Sequence, residues 1–171
     1  MANKPLFYDF SVPRADGTDN ITLTIKNLLN TYPKLEPTDE VEFQTLDSTS
    51  GKAFFPTNSV AIMNEEEDIT EHVKQECVYN FLFLYRTSGL NEKRKQTVKE
   101  WLDTLGRWLE RQTIDVDGEP VTLESYPALS DGKEFKYFKR QSQAYLYATN
   151  ENKVEDWGIS LQAMYINEFD R

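Results

Sequence analysis

Apolar residues recur at helical spacing in two segments of the chain. The first covers about residues 19–32 and is followed by Pro33; its apolar positions are Ile21, Ile25, Leu28, Leu29 and Tyr32. The second covers roughly residues 91–112, and its apolar positions are Val98, Trp101, Leu102, Leu105, Trp108 and Leu109. Residues at this spacing lie on one face of a helix. We therefore predict two amphipathic helices, the second capped by Asn91.

Alternation of apolar and polar residues predicts strands elsewhere in the chain. We expect strands at residues 41–46, 60–63, 77–86, 113–116, 120–123, 135–148 and 157–166. Asp117-Gly118 is typical of a turn between two short strands, whereas the Ser, Thr and Gly residues of 47–58 predict a loop. This order of elements predicts an α+β fold, in which a mixed, largely antiparallel sheet has two helices packed on one face.

The segment 77–86 is apolar on both of its faces. One face carries Cys77, Tyr79, Phe81, Phe83 and Tyr85, and the other carries Val78, Leu82 and Leu84. A strand of this kind belongs in the middle of a sheet that is covered on both sides. We expect the helices to form one cover, and the chain's own arms or another subunit to form the other.

Length and aromatic content favour a single domain over residues 1–171. A chain of 171 residues suits one domain, and an aromatic content of 13% is too high for a disordered chain. We expect residues 1–17 to form an N-terminal arm and residues 135–166 to form a long C-terminal hairpin. The arm carries Phe7, Tyr8 and Phe10, so it should dock on its own domain or on a neighbouring subunit. No segment has the pattern of a signal peptide or a membrane helix, which favours a soluble protein of a reducing compartment.

Charge is unevenly distributed along the chain, which has a net charge of −10. Residues 1–75 hold 6 basic and 13 acidic side chains, whereas residues 76–112 hold 7 basic and 5 acidic ones. The basic side chains of the second helix form either an ordinary solvated face or a contact with an acidic patch on a neighbouring subunit. These residues are Lys93, Arg94, Lys95 and Lys99, and the candidate acidic patch is Glu65, Glu66, Glu67 and Asp68. Without a partner, the acidic run is expected to be a solvated loop.

The side chains on which enzymes depend are sparse. There is no glycine-rich phosphate loop and no GxSxG motif. We expect His72, the single histidine, to lie on the surface, and Cys77, the single cysteine, to be a buried and inert thiol. Residues 115–119 have only a faint likeness to a calcium-binding loop and are better explained as a turn. We predict no catalytic residue, no metal site, no cofactor and no enzymatic activity. A chain this acidic also predicts no sequence-specific nucleic-acid binding and no membrane partner.

The sequence of residues 73–111 resembles that of a known family. The stretch Glu76-Cys77-Val78-Tyr79-Asn80-Phe81-Leu82-Phe83-Leu84-Tyr85-Arg86 is followed by Gly89-Leu90-Asn91-Glu92-Lys93-Arg94, Glu100-Trp101-Leu102 and Gly106-Arg107-Trp108-Leu109-Glu110. This pattern resembles the minor capsid or tail-terminator-like proteins of tailed phages and prophages of Gram-positive bacteria. The likeness extends, in the order of elements, to the early helix and the terminal aromatic hairpin.

The resemblance implies a virion structural protein with an α/β sandwich fold and no enzymatic activity. Such a protein forms a ring that closes the tail tube or joins it to the head, so its partners are copies of itself and tail-tube or head-connector proteins. It would assemble in the host cytoplasm and remain in the virion, with DNA passing through an acidic lumen. Two other classes stay open on the residues alone: an acidic protein inhibitor that mimics DNA, and a small-molecule enzyme that uses carboxylates and tyrosines.

Overall fold

The computed structural model describes residues 17–171, with side chains from Ile21 onward. The predicted arm contacts Phe7, Tyr8 and Phe10 lie outside the described residues. The helices are α1 (Gly17–Leu29) and α2 (Glu92–Leu109). The strands are β1 (Val41–Phe43), β2 (Gly51–Pro56), β3 (Ile62–Glu67), β4 (His72–Ser88), β5 (Ile114–Val116), β6 (Glu119–Val121), β7 (Lys133–Arg140), β8 (Tyr145–Thr149) and β9 (Val154–Asp170). A short 3-10 turn, Glu151–Lys153, precedes β9.

Seven of the described strands form one mixed sheet. Its main order is β1-β2-β4-β9-β7, with β3 paired to β4 beyond the end of β2 and β8 paired to β9 beyond the end of β7. The β1–β2 pair is parallel, and the other pairs in this sheet are antiparallel. Strands β5 and β6 form a separate hairpin, closed by Asp117-Gly118 as predicted. The α+β fold with a largely antiparallel sheet is confirmed.

The two longest strands, β4 and β9, form the centre of the sheet. They pair over 17 residues each, from His72 opposite Asp170 to Ser88 opposite Val154. At about 3.3 Å per residue, this ribbon is about 50 Å long. The expected strand at 77–86 is therefore correct in place but extends further at both ends. It is also buried on both faces, because Phe81 and Phe83 are buried on one side and Leu82 and Leu84 on the other.

Both helices pack on one face of the sheet. Ile25 and Leu29 of α1 join Leu102 and Leu105 of α2 in one buried cluster, which also contains the sheet residues Phe54, Phe81, Phe83, Ile159 and Leu161. The predicted stripe of α2 is confirmed, since five of its six members are buried and Trp101 is half-buried. Asn91 caps the helix, with its side chain accepting a hydrogen bond from the Arg94 backbone amide at 2.9 Å.

Helix α1 ends at Leu29 rather than at Tyr32 because the next residues bind other elements. The Asn30 side chain donates to the carbonyls of Lys26 and Val41 and accepts from the Val41 amide, so it joins the helix end to β1. The Tyr32 ring lies edge-on to Trp101, with the centroids 5.1 Å apart, and its hydroxyl donates to the Trp101 carbonyl. Tyr32 thereby fastens the segment after α1 to α2.

Three strand predictions need correction. The segment 47–58 is not wholly a loop, because β2 occupies Gly51–Pro56 and buries Ala53 and Phe54 against β4. The strand expected at 60–63 begins at Ile62 and continues through the acidic residues to Glu67. The single strand expected over 135–148 is divided into β7 and β8. The division occurs where the backbone amide of Ala144, a buried residue, donates to Asp103 of α2.

Candidate interaction surfaces

The acidic run is part of the sheet and not a solvated loop. Glu65, Glu66 and Glu67 lie in β3, opposite Gln75, Lys74 and Val73 of β4. Asp68 begins the turn between the strands, and one of its carboxylate oxygens accepts hydrogen bonds from Thr70 and from the His72 amide. The hydrogen bond from the Thr70 hydroxyl is the main reason why the pKa of Asp68 is lowered. Asp68 therefore stabilises the conformation of the β3–β4 turn.

Two of the three β3 glutamates are paired within the molecule. Arg171 lies 2.9 Å from Glu65 and 3.5 Å from Glu67, and Gln75 also donates to Glu65. Within residues 17–171, Glu66 makes no ion pair. A protein that mimics DNA needs a dense face of available carboxylates, and this arrangement does not favour that alternative.

His72 lies on the surface beside two carboxylates. Its Nδ1 is 2.8 Å from Asp170, and its Nε2 is 3.2 Å from Glu168. These hydrogen bonds, that of Asp170 first, raise the pKa of His72. With a protonated ring, His72 joins the start of β4 to the end of β9.

Cys77 lies in β4 and is buried, as the sequence predicts. Burial raises the pKa of its thiol, which reduces the fraction present as the reactive thiolate. The thiol also lies next to Tyr165, its partner on β9.

Some side chains of the predicted basic face of α2 form ion pairs within the molecule, and others do not. Lys95 lies 3.3 Å from Glu155 of β9, and Lys99 lies 2.7 Å from Asp103 one turn along the helix. Lys93 and Arg94 make no ion pair with any residue of the described chain, and both are exposed in the first turn of α2. The positive charge available to a partner is therefore concentrated at the start of the helix.

The acidic and basic groups lie at opposite ends of the long ribbon. Asp68 is hydrogen-bonded to His72, the first residue of β4. Lys95 is paired with Glu155, which lies opposite Thr87 near the last residue of β4. Between 13 and 15 residues of β4 separate the two groups, which is about 40–50 Å along the ribbon, given the rise of a strand. The structure does not bring the predicted acidic and basic contacts together within one molecule.

Apolar side chains are exposed at both ends of the ribbon. The acidic end carries the exposed Met63 and the fully exposed Ile69 of the β3–β4 turn, whereas the exposed Ile62 and Val60 lie nearer the middle of the ribbon. The basic end carries Tyr145, Leu146 and Tyr147 on β8. The residue pattern alone does not identify these side chains as candidate contacts. Two features of the sequence are available to indicate that these side chains are exposed. Ile69 lies among polar residues, and Tyr145, Leu146 and Tyr147 are three consecutive large residues of a strand, so they cannot all face the core.

A cavity of about 620 Å³ lies between the β1–β2 connection and the end of β4. Both cations on its wall are held by carboxylates: Lys52 lies 2.9 Å from Asp39, and Arg86 is bound to Asp156. The Lys52 ammonium also lies over the Tyr85 ring, 4.2 Å from its centroid. With both of these cations paired internally, the cavity wall formed by the described residues offers no free positive charge to an anionic ligand.

Within the described residues, no group of three or more His, Cys, Asp or Glu side chains is arranged to hold a metal ion. Neither described helix combines the length and apolar content required to cross a bilayer. No protein-family model matches the chain, and a search of curated proteins finds no significant match.

Proposed function

We propose that this protein is a structural component of a tailed-phage virion, a tail terminator or minor capsid protein that forms a ring at the head–tail junction. The observation that carries the proposal is the placement of the acidic run of β3 and of the unpaired first-turn cations of α2 at opposite ends of the β4–β9 ribbon. A contact between two different patches of each subunit repeats from copy to copy and closes into a ring when its rotation allows.

The charge distribution fits this assembly better than it fits an isolated subunit. A net charge of −10 repels copies from one another unless positive and negative patches meet. Lys93 and Arg94 supply positive charge at one end, and Glu66 supplies negative charge at the other. Charged pairs of this kind set the register and the rate of encounter, whereas apolar anchors supply most of the affinity. Exposed apolar residues accompany the charges at both ends.

The acidic character of the chain also suits a protein through which DNA must pass. Carboxylates along a lumen repel the phosphate backbone, so DNA can slide without being held. In this proposal the ring assembles in the host cytoplasm, binds the tail tube or head connector and remains in the virion.

Light scattering and negative-stain microscopy test the proposal. The purified chain, alone at high concentration or mixed with the tail-tube protein encoded by the same genome, should form rings several times the subunit mass of 20.0 kDa. The proposal is wrong if the chain stays monomeric at high concentration and also fails to bind the tail-tube protein.

A further inference from the structure

Four of the described strands, β1, β3, β7 and β8, have a single partner each in the sheet. Side chains bind outer amides of two of them, since Val41 of β1 donates to Asn30 and Phe138 of β7 donates to Tyr126. Strand β3 pairs only with β4, and β8 pairs only with β9. Within residues 17–171, no hydrogen bond reaches the outer edge of either strand. Because β3 lies at the start of β4 and β8 lies opposite its end, the two free edges occupy diagonal corners of the sheet.

Both free edges have the exposure and composition of a contact. All six residues of β3 are exposed, including Ile62 and Met63. On β8, the residues Tyr145, Leu146 and Tyr147 are exposed in succession. A free strand edge with exposed apolar side chains is a template for pairing with another strand. Tyrosine is also enriched among the residues that dominate binding at protein interfaces.

Charge decides which edges can pair. The side chains of Glu65, Glu66 and Glu67 would repel one another if two copies of β3 met. Helix α2 runs beside β8, since Asp103 accepts a hydrogen bond from Ala144 at the start of β8 and Lys95 reaches Glu155 near its end. The basic first turn of α2 therefore lies near the Thr149 end of β8, and an acidic strand is its complement.

We infer that the β3 edge of one copy pairs with the β8 edge of a second copy, so that the sheets of neighbouring subunits join through main-chain hydrogen bonds. The inference rests on the proposed ring, because it names the subunit contact of that ring. Since the two edges lie on opposite sides of the sheet, each copy can use both at once. The contact then repeats in one direction around the ring.

Disulfide trapping tests the contact. Residues that face each other across paired strands have Cα atoms about 4.5–5.5 Å apart, which is within the span of a disulfide. In a Cys77→Ala background, cysteine is placed in turn at each position from Asn64 to Glu67 in one set of variants, and at Tyr147 in another. After mild copper–phenanthroline oxidation, a mixture of the two sets should give a covalent dimer in at least one register. The matching double-cysteine chain should give a ladder of larger species. Glu124→Cys, which is exposed and lies outside both edges, serves as the control in place of either set.

Three outcomes would overturn the inference. Covalent dimers of the β3 variants alone would show that identical edges meet. Oligomers seen by light scattering, without cross-linking above the Glu124→Cys control in any register, would show a ring built through other surfaces and would leave the proposed function standing. Absence of any oligomer, even with the tail-tube protein, would remove both the pairing and the ring.

Discussion

Arg86 and Asp156 form a bidentate ion pair between the two central strands, near one end of the β4–β9 ribbon. Arg86 Nε lies 2.7 Å from Oδ1 of Asp156 and its Nη2 lies 2.9 Å from Oδ2, with the two residues directly opposite each other on β4 and β9. Asp156 is only 4% exposed, and Asn150 donates to the same carboxylate. The pair fixes the end of the ribbon to which the basic turn of α2 is attached through Lys95 and Glu155.

The first prediction concerns this pair. The hydrogen bonds from Arg86 lower the pKa of Asp156 below its value in the unfolded chain. The resulting stabilisation is present above the unfolded pKa of about 3.9 and is lost as pH falls through the lower folded value. At pH 7, Asp156→Asn should lower the free energy of unfolding by about 1–3 kcal/mol, because the Arg86 guanidinium loses its charged partner. Urea denaturation measures the change, and the exposed Asp115→Asn should leave stability nearly unchanged.

The second prediction concerns the apolar stripe of α2. Trp108 is 3% exposed and belongs to the main core, so Trp108→Ala should cost about 3–5 kcal/mol of unfolding free energy. Trp101→Ala should cost less because Trp101 is only half-buried, although its ring contacts Tyr32 and Tyr85 edge-on. Equal and small losses in both variants would show that the stripe does not face the sheet.

The third prediction concerns the titration of His72. Its hydrogen bonds to Asp170 and Glu168 raise its pKa. The stabilisation of the folded protein by the charged ring is therefore complete below about pH 6.5, the unfolded pKa, and is lost as pH rises through the folded-state pKa. The ring protons of this single histidine can be followed by NMR, and their midpoint should lie above 6.5. Asp170→Asn should move the midpoint downward, whereas Asp115→Asn should not move it. A midpoint at or below 6.5 in the native protein would contradict the described contacts.

The fourth prediction concerns the rate of assembly. Reversal of the two unpaired cations in the first turn of α2, in Lys93→Glu/Arg94→Glu, should slow association and change its dependence on salt, because rim charges act mainly on encounter. Stopped-flow light scattering at low and high salt measures both effects. The matched control is Lys136→Glu/Lys139→Glu, which makes the same change in net charge on exposed residues of β7. If the two variants slow assembly equally, overall charge is responsible and the α2 turn has no specific part.

The helices and the central strand are predictable because the residues that they bury recur at a regular spacing within each segment. Strand β2 is not predictable in this way, because its segment has no long alternation of apolar and polar residues. Its strand conformation depends on pairing with β4, where Phe54 lies opposite Phe83, a residue distant in the chain. Likewise, three consecutive glutamates predict a solvated loop, yet β4 offers backbone partners that hold them in a strand. Among the candidate contacts, the sequence identifies the charges but not their internal pairing. The Lys95–Glu155 pair joins residues 60 positions apart and exists only because α2 folds back along β9.

Complementation between charge-reversed variants tests the central claim of a head-to-tail ring most directly. One variant carries Glu66→Lys/Glu67→Lys at the acidic end, and the other carries Lys93→Glu/Arg94→Glu at the basic end. Each variant alone should associate more weakly than the native chain, because two like-charged ends then meet. In an equimolar mixture every contact can again join opposite charges, so sedimentation velocity should show large oligomers restored. The claim is contradicted if the mixture sediments no faster than the separate variants, or if each variant alone assembles as well as the native chain.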